Sequence, residues 1–243
     1  MADNTPSPRR RFLRGVRDGV PIGLGYFAVA FSLGITAKAA GLSAAQGFLA
    51  SFLNHASAGE FAMLSLISAN AAYWEVALVI FITNARYLLM SASLSQKLAP
   101  ESPLCHRLGV GFCITDEIFG LGIAWQGWLE PLYVYGAFLF AATCWASGTA
   151  TGIIAGNILP ARAVSALSVA IYGMFLAIIV PPARKSRTVL LLVIVSFAAS
   201  GLFAVLPMLA ALSGGMKTIV LTVSISALAA VLFPVREEGG EAA

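Results

Sequence analysis

The chain has 243 residues, 59% of them hydrophobic and only 11% charged, with a mean hydropathy of +0.87, whereas a soluble domain carries about 25% charged residues. That balance excludes an ordinary soluble globule. The net charge of +4 does not point to nucleic acid, because Arg9, Arg10, Arg11, Arg14 and Arg17 crowd the N-terminus beside the first apolar segment, the positive-inside signature of a cytoplasmic end.

Runs without Asp, Glu, Lys or Arg cover residues 131–161, 163–183, 188–216 and 218–235, each near or above the ~18 residues that span a bilayer. Backbone groups in lipid must be satisfied within the segment, so the expected fold is an all-α polytopic transmembrane helix bundle. It divides into a basic cytoplasmic N-terminus (1–19), one transmembrane domain (20–234) and a polar C-terminal tail (235–243). The run Arg9-Arg10-Arg11-Phe12-Leu13-Arg14 has the look of a twin-arginine export signal, with Ala37-Lys38-Ala39 as a formal cleavage site. Asp18 and Pro21 make a poor signal core and many spans follow, so the segment reads as uncleaved.

In chain order, the first span is Val20 to Ala37, closed by Lys38 and a Gly41-Leu42-Ser43 turn with Ser43 as the next N-cap. Ala44 to Asn70 is too long for one plain helix and carries Asn54-His55-Ala56-Ser57-Ala58-Gly59-Glu60 in its middle, which predicts a broken helix. A third span, Val76 to Leu94, contains Asn84 and Arg86; a fourth, about Leu108 to Trp128, contains Thr115-Asp116-Glu117. Spans follow at 131–155, 163–180 (stopped by Pro181-Pro182), 188–206 and 217–233, giving about eight membrane segments. A second count makes 44–70 and 163–180 half-helix pairs that leave by the face they enter. It puts nearly all loop and tail Lys and Arg on one side, with only Lys38 and Lys217 on the other. That count relates the halves as an inverted repeat, supported by Ala40-Gly41 and Ala58-Gly59-Glu60-Phe61 against Ala155-Gly156 and Tyr172-Gly173-Met174-Phe175.

The chemistry gathers in the first half. Glu60, Arg86 and Asp116/Glu117 each lie roughly nine to twelve residues into a span, close to the midplane at ~1.5 Å per residue. Ions at that depth need partners or water. Arg86 either engages a solute carboxylate or locks two spans through Asp116. Asn84 projects to a different face of an ideal helix, so a joint role requires distortion near Thr83. Asp116, Glu117 and Glu60 are candidate carriers of a coupling proton. Ser57, Gly59 and Glu60 have the composition of a discontinuous-helix site, or of tight packing through small residues. His55 reads as a hydrogen-bonded interior group. Three cysteines without paired spacing and two histidines predict neither a disulfide framework nor a metal, and no cofactor is expected. Ser57 and Ser147 lack a nucleophile segment, so the chain is not expected to be an enzyme.

The Arg-rich head with Gly19-Val20-Pro21-Ile22-Gly23, then Ala58-Gly59-Glu60-Phe61, Asn84-Ala85-Arg86-Tyr87, Ser91-Ala92-Ser93-Leu94 and Thr115-Asp116-Glu117, resemble the AzlC family of branched-chain amino-acid permeases. The resemblance is strongest over residues 12–120. It implies the large subunit of a bacterial inner-membrane exporter that works with a small AzlD-type membrane subunit. The candidate substrate site, read from the depth and pattern of these residues, comprises Ser57, Gly59, Glu60, Asn84, Arg86, Thr115 and Asp116. Glu60 stands where the family has a glutamine-like residue, which bears on the substrate. The rival from another class is a membrane scaffold whose charges are structural ion pairs.

Overall fold

The computed structural model describes residues 7–160, 162–163, 170–206 and 212–233. Eleven α-helices and no strand appear among them: α1 (Pro8–Ala39), α2 (Ala44–Asn54), α3 (Ser57–Ser68), α4 (Tyr73–Thr83), α5 (Arg86–Ser95), α6 (Leu104–Phe112), α7 (Asp116–Ala124), α8 (Pro131–Ile158), α9 (Ala170–Lys185), α10 (Arg187–Val205) and α11 (Gly214–Leu232). The chain is an all-helical membrane protein. Four helices, α1, α8, α10 and α11, are each long and apolar enough to cross a bilayer, and α4 with α5 makes a fifth, bent by 46°. Among the described residues, length and composition thus support four or five crossings, and the expected count of about eight membrane segments is not confirmed by them.

The spine is the pair α1 and α8. Glycine lets their backbones meet: a Cβ on Gly15 would lie 2.0 Å from Tyr133 O, one on Gly34 2.2 Å from Thr149 O, and one on Gly152 2.1 Å from Phe31 O. Contacts in lipid have no hydrophobic drive, so close backbone approach through small residues supplies the attraction. The contacts climb both helices in the same order, ending where Lys38 Nζ donates to Gly156 O. The two helices run parallel. Ala40-Gly41 and Ala155-Gly156 consequently lie at one end of the molecule, whereas an inverted repeat relating them would place them at opposite ends.

The segments between α1 and α8 alternate with that spine. Position along α8 tracks the second segment: Gly47 meets Ile153, Ser51 meets Thr149 at 2.7 Å, the His55 ring meets Phe138, and Glu60 returns to Trp145. Leu64 then joins Leu33, Ala37 and Ile153 in one cluster. Thus α2 descends and α3 climbs back, a re-entrant hairpin rather than a crossing. Ser43 caps α2 in a capping box with Gln46, as the sequence indicates, and His55 ends it with φ 22°.

The fourth span, expected to cross, is also a hairpin. Gly109 meets Tyr135, Phe112 meets Phe138 with ring centroids 5.7 Å apart, and Trp125 is back at Tyr133, 4.4 Å away. Thr115 caps α7 by accepting from Ile118 N, and the acidic pair behind it suits a helix N-terminus. That start signal breaks the span. The α6/α7 hairpin begins and ends at the α1 N-terminal end, where Lys97 donates to Trp125 O. The α2/α3 hairpin begins and ends at the other. With α4/α5 passing between them, the parallel course of α1 and α8 follows.

Other expectations shift. The N-terminal residues from Pro8 are not a free head but the first turns of α1, tied to α8 by the Arg11–Glu130 pair at 2.9 Å. Pro181-Pro182 does not stop α9, which continues to Lys185; each proline forfeits a single backbone bond near the helix end. Residues 164–169 of the sixth span and the tail 235–243 lie outside the described residues. The apolar windows of α10 and α11 are 0% and 6% buried, leaving both helices as an apolar outer face.

Candidate functional site

Three chain breaks meet inside the bundle, at residues 55–56, 84–85 and 113–115. The hairpin tips touch: His55 Nε2 is 2.9 Å from Phe112 O. Gly59, at the start of α3, lies against Asn84, whose amide nitrogen would be 2.7 Å from a Cβ there. Any larger residue at 59 would push Asn84 out of the α4/α5 bend.

Around the tips is a cavity of about 340 Å³, lined by Pro21, Ile22, Gly25, Tyr26, Val29, His55, Ser57, Tyr87, Thr115, Asp116, Glu117 and Trp145. Its size falls in the small-ligand range of about 300–1,000 Å³. One wall is the stretch of α1 around Pro21, where the missing N–H frees the Arg17 carbonyl. The opposite side is made by the first turns of three half-helices: Ser57 of α3, Tyr87 of α5, and Thr115, Asp116 and Glu117 at the start of α7. Half-helix starts present free N–H groups and the positive dipole end to whatever occupies the space between them.

The expected site residues separate into three positions. Ser57, Thr115, Asp116 and Glu117 line the cavity. Arg86 stands outside its wall and reaches Asp116, with Nη2 3.0 Å from Oδ2 and both side chains 39% exposed; its carbon lies 5.1 Å from the Tyr87 ring centre. The pairing of Arg86 with Asp116 inferred from depth is thus the one that forms. Arg86 Nε is buried without a hydrogen-bond partner, as are Asn84 Oδ1 and His55 Nδ1. Distortion at Thr83 is present, since α4 ends there, and it brings Asn84 toward Gly59.

Glu60 occupies the third position. It is 1% exposed and its carboxylate accepts from Ser51 Oγ and from Trp145 Nε1 at 2.7 Å. Thr149 Oγ1 continues the chain from Ser51 at 2.7 Å. Trp145 lines the cavity and Glu60 does not, so Glu60 stands behind the wall and fixes the indole that forms it.

Tyr26 and Trp145 are the residues that sequence reasoning missed. The Tyr26 hydroxyl donates to the Glu117 carboxylate and lies 2.8 Å from Thr115 Oγ1, while its ring packs edge-on against Trp145 at 5.3 Å. The available signal was a tyrosine in the middle of an apolar span, whose hydroxyl must find a partner when buried.

The profile of the family described as AzlC protein matches residues 21–159, which contain every element of this site. An uncharacterized membrane protein of Archaeoglobus fulgidus is 31% identical over 172 residues, covering 70% of this chain and 75% of that protein. The inner membrane protein YgaZ of Escherichia coli is 26% identical over 165 residues, covering 65% of this chain and 67% of that protein. No solved structure matches the chain.

Proposed function

Since the chain belongs to the AzlC family of membrane proteins, we propose that it is a secondary transporter, not an enzyme, that exports branched-chain or other small hydrophobic amino acids. The observation that carries this reading is the cavity between hairpin tips that come from opposite ends of the bundle. A solute there is reached from either side by moving one hairpin, and broken helices at membrane depth are tolerated where they line such a space. The lining suits a zwitterion with an apolar side chain. Asp116 and Glu117 line one side, with Arg86 paired to Asp116 from outside the wall, while Ile22, Val29 and Trp145 offer an apolar wall.

The positive-inside rule orients the molecule. Arg9, Arg10, Arg11, Arg14 and Arg17 begin α1 at the end that also carries Lys97 and Arg107, so this end faces the cytoplasm of a bacterial inner membrane. The bare flanks of α10 and α11 leave room for lipid and for a small AzlD-type subunit. A coupling proton would be carried by Asp116, Glu117 or Glu60.

The test is valine efflux from proteoliposomes, with and without a co-expressed small hydrophobic subunit. The paired change Arg86→Met with Asp116→Leu removes both charges together, avoiding a lone unpaired ion at membrane depth. Folded protein without efflux supports transport through this site. Full efflux from the double variant would mean that the charges only lock the helices, and absence of efflux from the wild type under every gradient would refute the reading.

A further inference from the structure

We propose that the cavity holds its ligand by the ammonium end, with Glu117 and His55 as the acceptors, an inference that rests on the amino-acid transport proposed above. The charge on the wall is the first reason. Asp116 and Glu117 line the cavity and no Lys or Arg does. Arg86 neutralises Asp116 from behind at 3.0 Å. Glu117 has no cationic partner among the described residues, and its carboxylate is held by the Tyr26 hydroxyl alone. The wall thus carries one carboxyl group without a cationic partner, set among the rings of Tyr26, Tyr87 and Trp145, and aromatic faces attract ammonium groups.

The second reason is independent of the acidic pair. His55 Nε2 lies 2.9 Å from the Phe112 carbonyl, and a carbonyl only accepts, so Nε2 bears the proton. The neutral tautomer with that proton leaves Nδ1 as a lone-pair acceptor; Nδ1 is buried without a hydrogen-bond partner among the described residues, on a side chain that lines the cavity. An ammonium group brings three donors. Glu117 and His55 Nδ1 are acceptors without protons of their own to offer it, which a carboxylate could not use. The side chain of a zwitterion then lies against Ile22 and Val29.

Calorimetric titration of the full chain in lipid nanodiscs with the two halves of valine tests this: isobutylamine, which lacks the carboxylate, and isovalerate, which lacks the amine. Isobutylamine is expected to bind at least tenfold more tightly than isovalerate. Glu117→Gln should weaken the amine at least tenfold, the equivalent of about 1.4 kcal/mol, and His55→Phe should weaken it in the same direction. Equal binding of the two probes, no binding of either, or amine binding untouched by both Glu117→Gln and His55→Phe would overturn the inference. Should Glu117→Gln not fold, Glu117→Asp and His55→Phe carry the test, the first retaining the amine preference and the second losing affinity. Valine efflux without amine binding refutes this inference alone; amine binding without efflux refutes transport alone.

Discussion

Removing Glu60 tests how the cavity wall is built. In Glu60→Ala the Trp145 indole N–H loses its only acceptor of 2.7 Å, a buried orphan worth about 1–3 kcal/mol. Ser51 keeps its 2.7 Å contact with Thr149 and adds little. The void left by a side chain that is 1% exposed adds roughly 2–3 kcal/mol by comparison with large-to-small core changes. The expected loss is therefore about 3–6 kcal/mol. Glu60→Gln fills the same space: its carbonyl accepts from Trp145, its amide donates to Ser51 Oγ, and Ser51 turns its hydroxyl to Thr149. Stability within about 1 kcal/mol of wild type is expected. Thermal unfolding of both variants in nanodiscs, followed by tryptophan fluorescence, measures the difference. Loss in Glu60→Gln as large as in Glu60→Ala would refute the scheme, because it would show that the ionised carboxylate itself is required. A stable Glu60→Gln also isolates the coupling question: efflux that ignores a pH gradient assigns the proton to Glu60, and efflux that follows it leaves Asp116 and Glu117.

The hairpin course is checked by labelling single cysteines in a chain whose three native cysteines are changed to alanine. Ala40→Cys and Ala71→Cys should react from one face of the membrane and Glu101→Cys from the other; a straight crossing over 44–70 would instead pair Ala40→Cys with Glu101→Cys. The spine is tested by Gly152→Val, since its Cβ would fall 2.1 Å from Phe31 O and 3.0 Å from Gly34 Cα. The backbones must part, so the cost should exceed the ~1–3 kcal/mol of ordinary overpacking. Gly173→Ala, where a Cβ meets nothing within 4 Å, should behave as wild type in the same thermal unfolding measurement.

The fold class is legible because it depends on composition: long charge-free runs in a chain that is 11% charged allow little but helices in lipid. The re-entrant course is not, because a crossing and a hairpin of equal length bury the same kind of residue, and what distinguishes them is the partner on α8. For 44–70 a local sign existed in the small, polar run at 54–60, and the break fell there. For 108–128 an equally good sign has two readings. Thr115-Asp116-Glu117 is an N-cap followed by two acidic first-turn residues, the pattern that starts a helix. Its acidity reads as chemistry in a crossing and also marks the beginning of a half-helix. The two meanings are one physical fact: a carboxylate is tolerated at membrane depth where a helix start offers it N–H groups and a positive dipole end. Arg86 is likewise the first residue of α5, at a bend whose opening gives its guanidinium a route to Asp116. Depth alone does not separate Glu60 from Asp116, although Asp116 lines the cavity and Glu60 does not. Depth says where a charge lies along the membrane normal; the direction in which the carboxylate points is set by α3 climbing back beside α8, where Trp145 and Ser51 wait and the cavity is on the indole's other side. Tyr26 and Trp145 escaped for the complementary reason. An aromatic ring in an apolar span costs nothing to bury, so only its polar tip, Tyr26 on Glu117 and Trp145 on Glu60, betrays that the wall of the site passes through it.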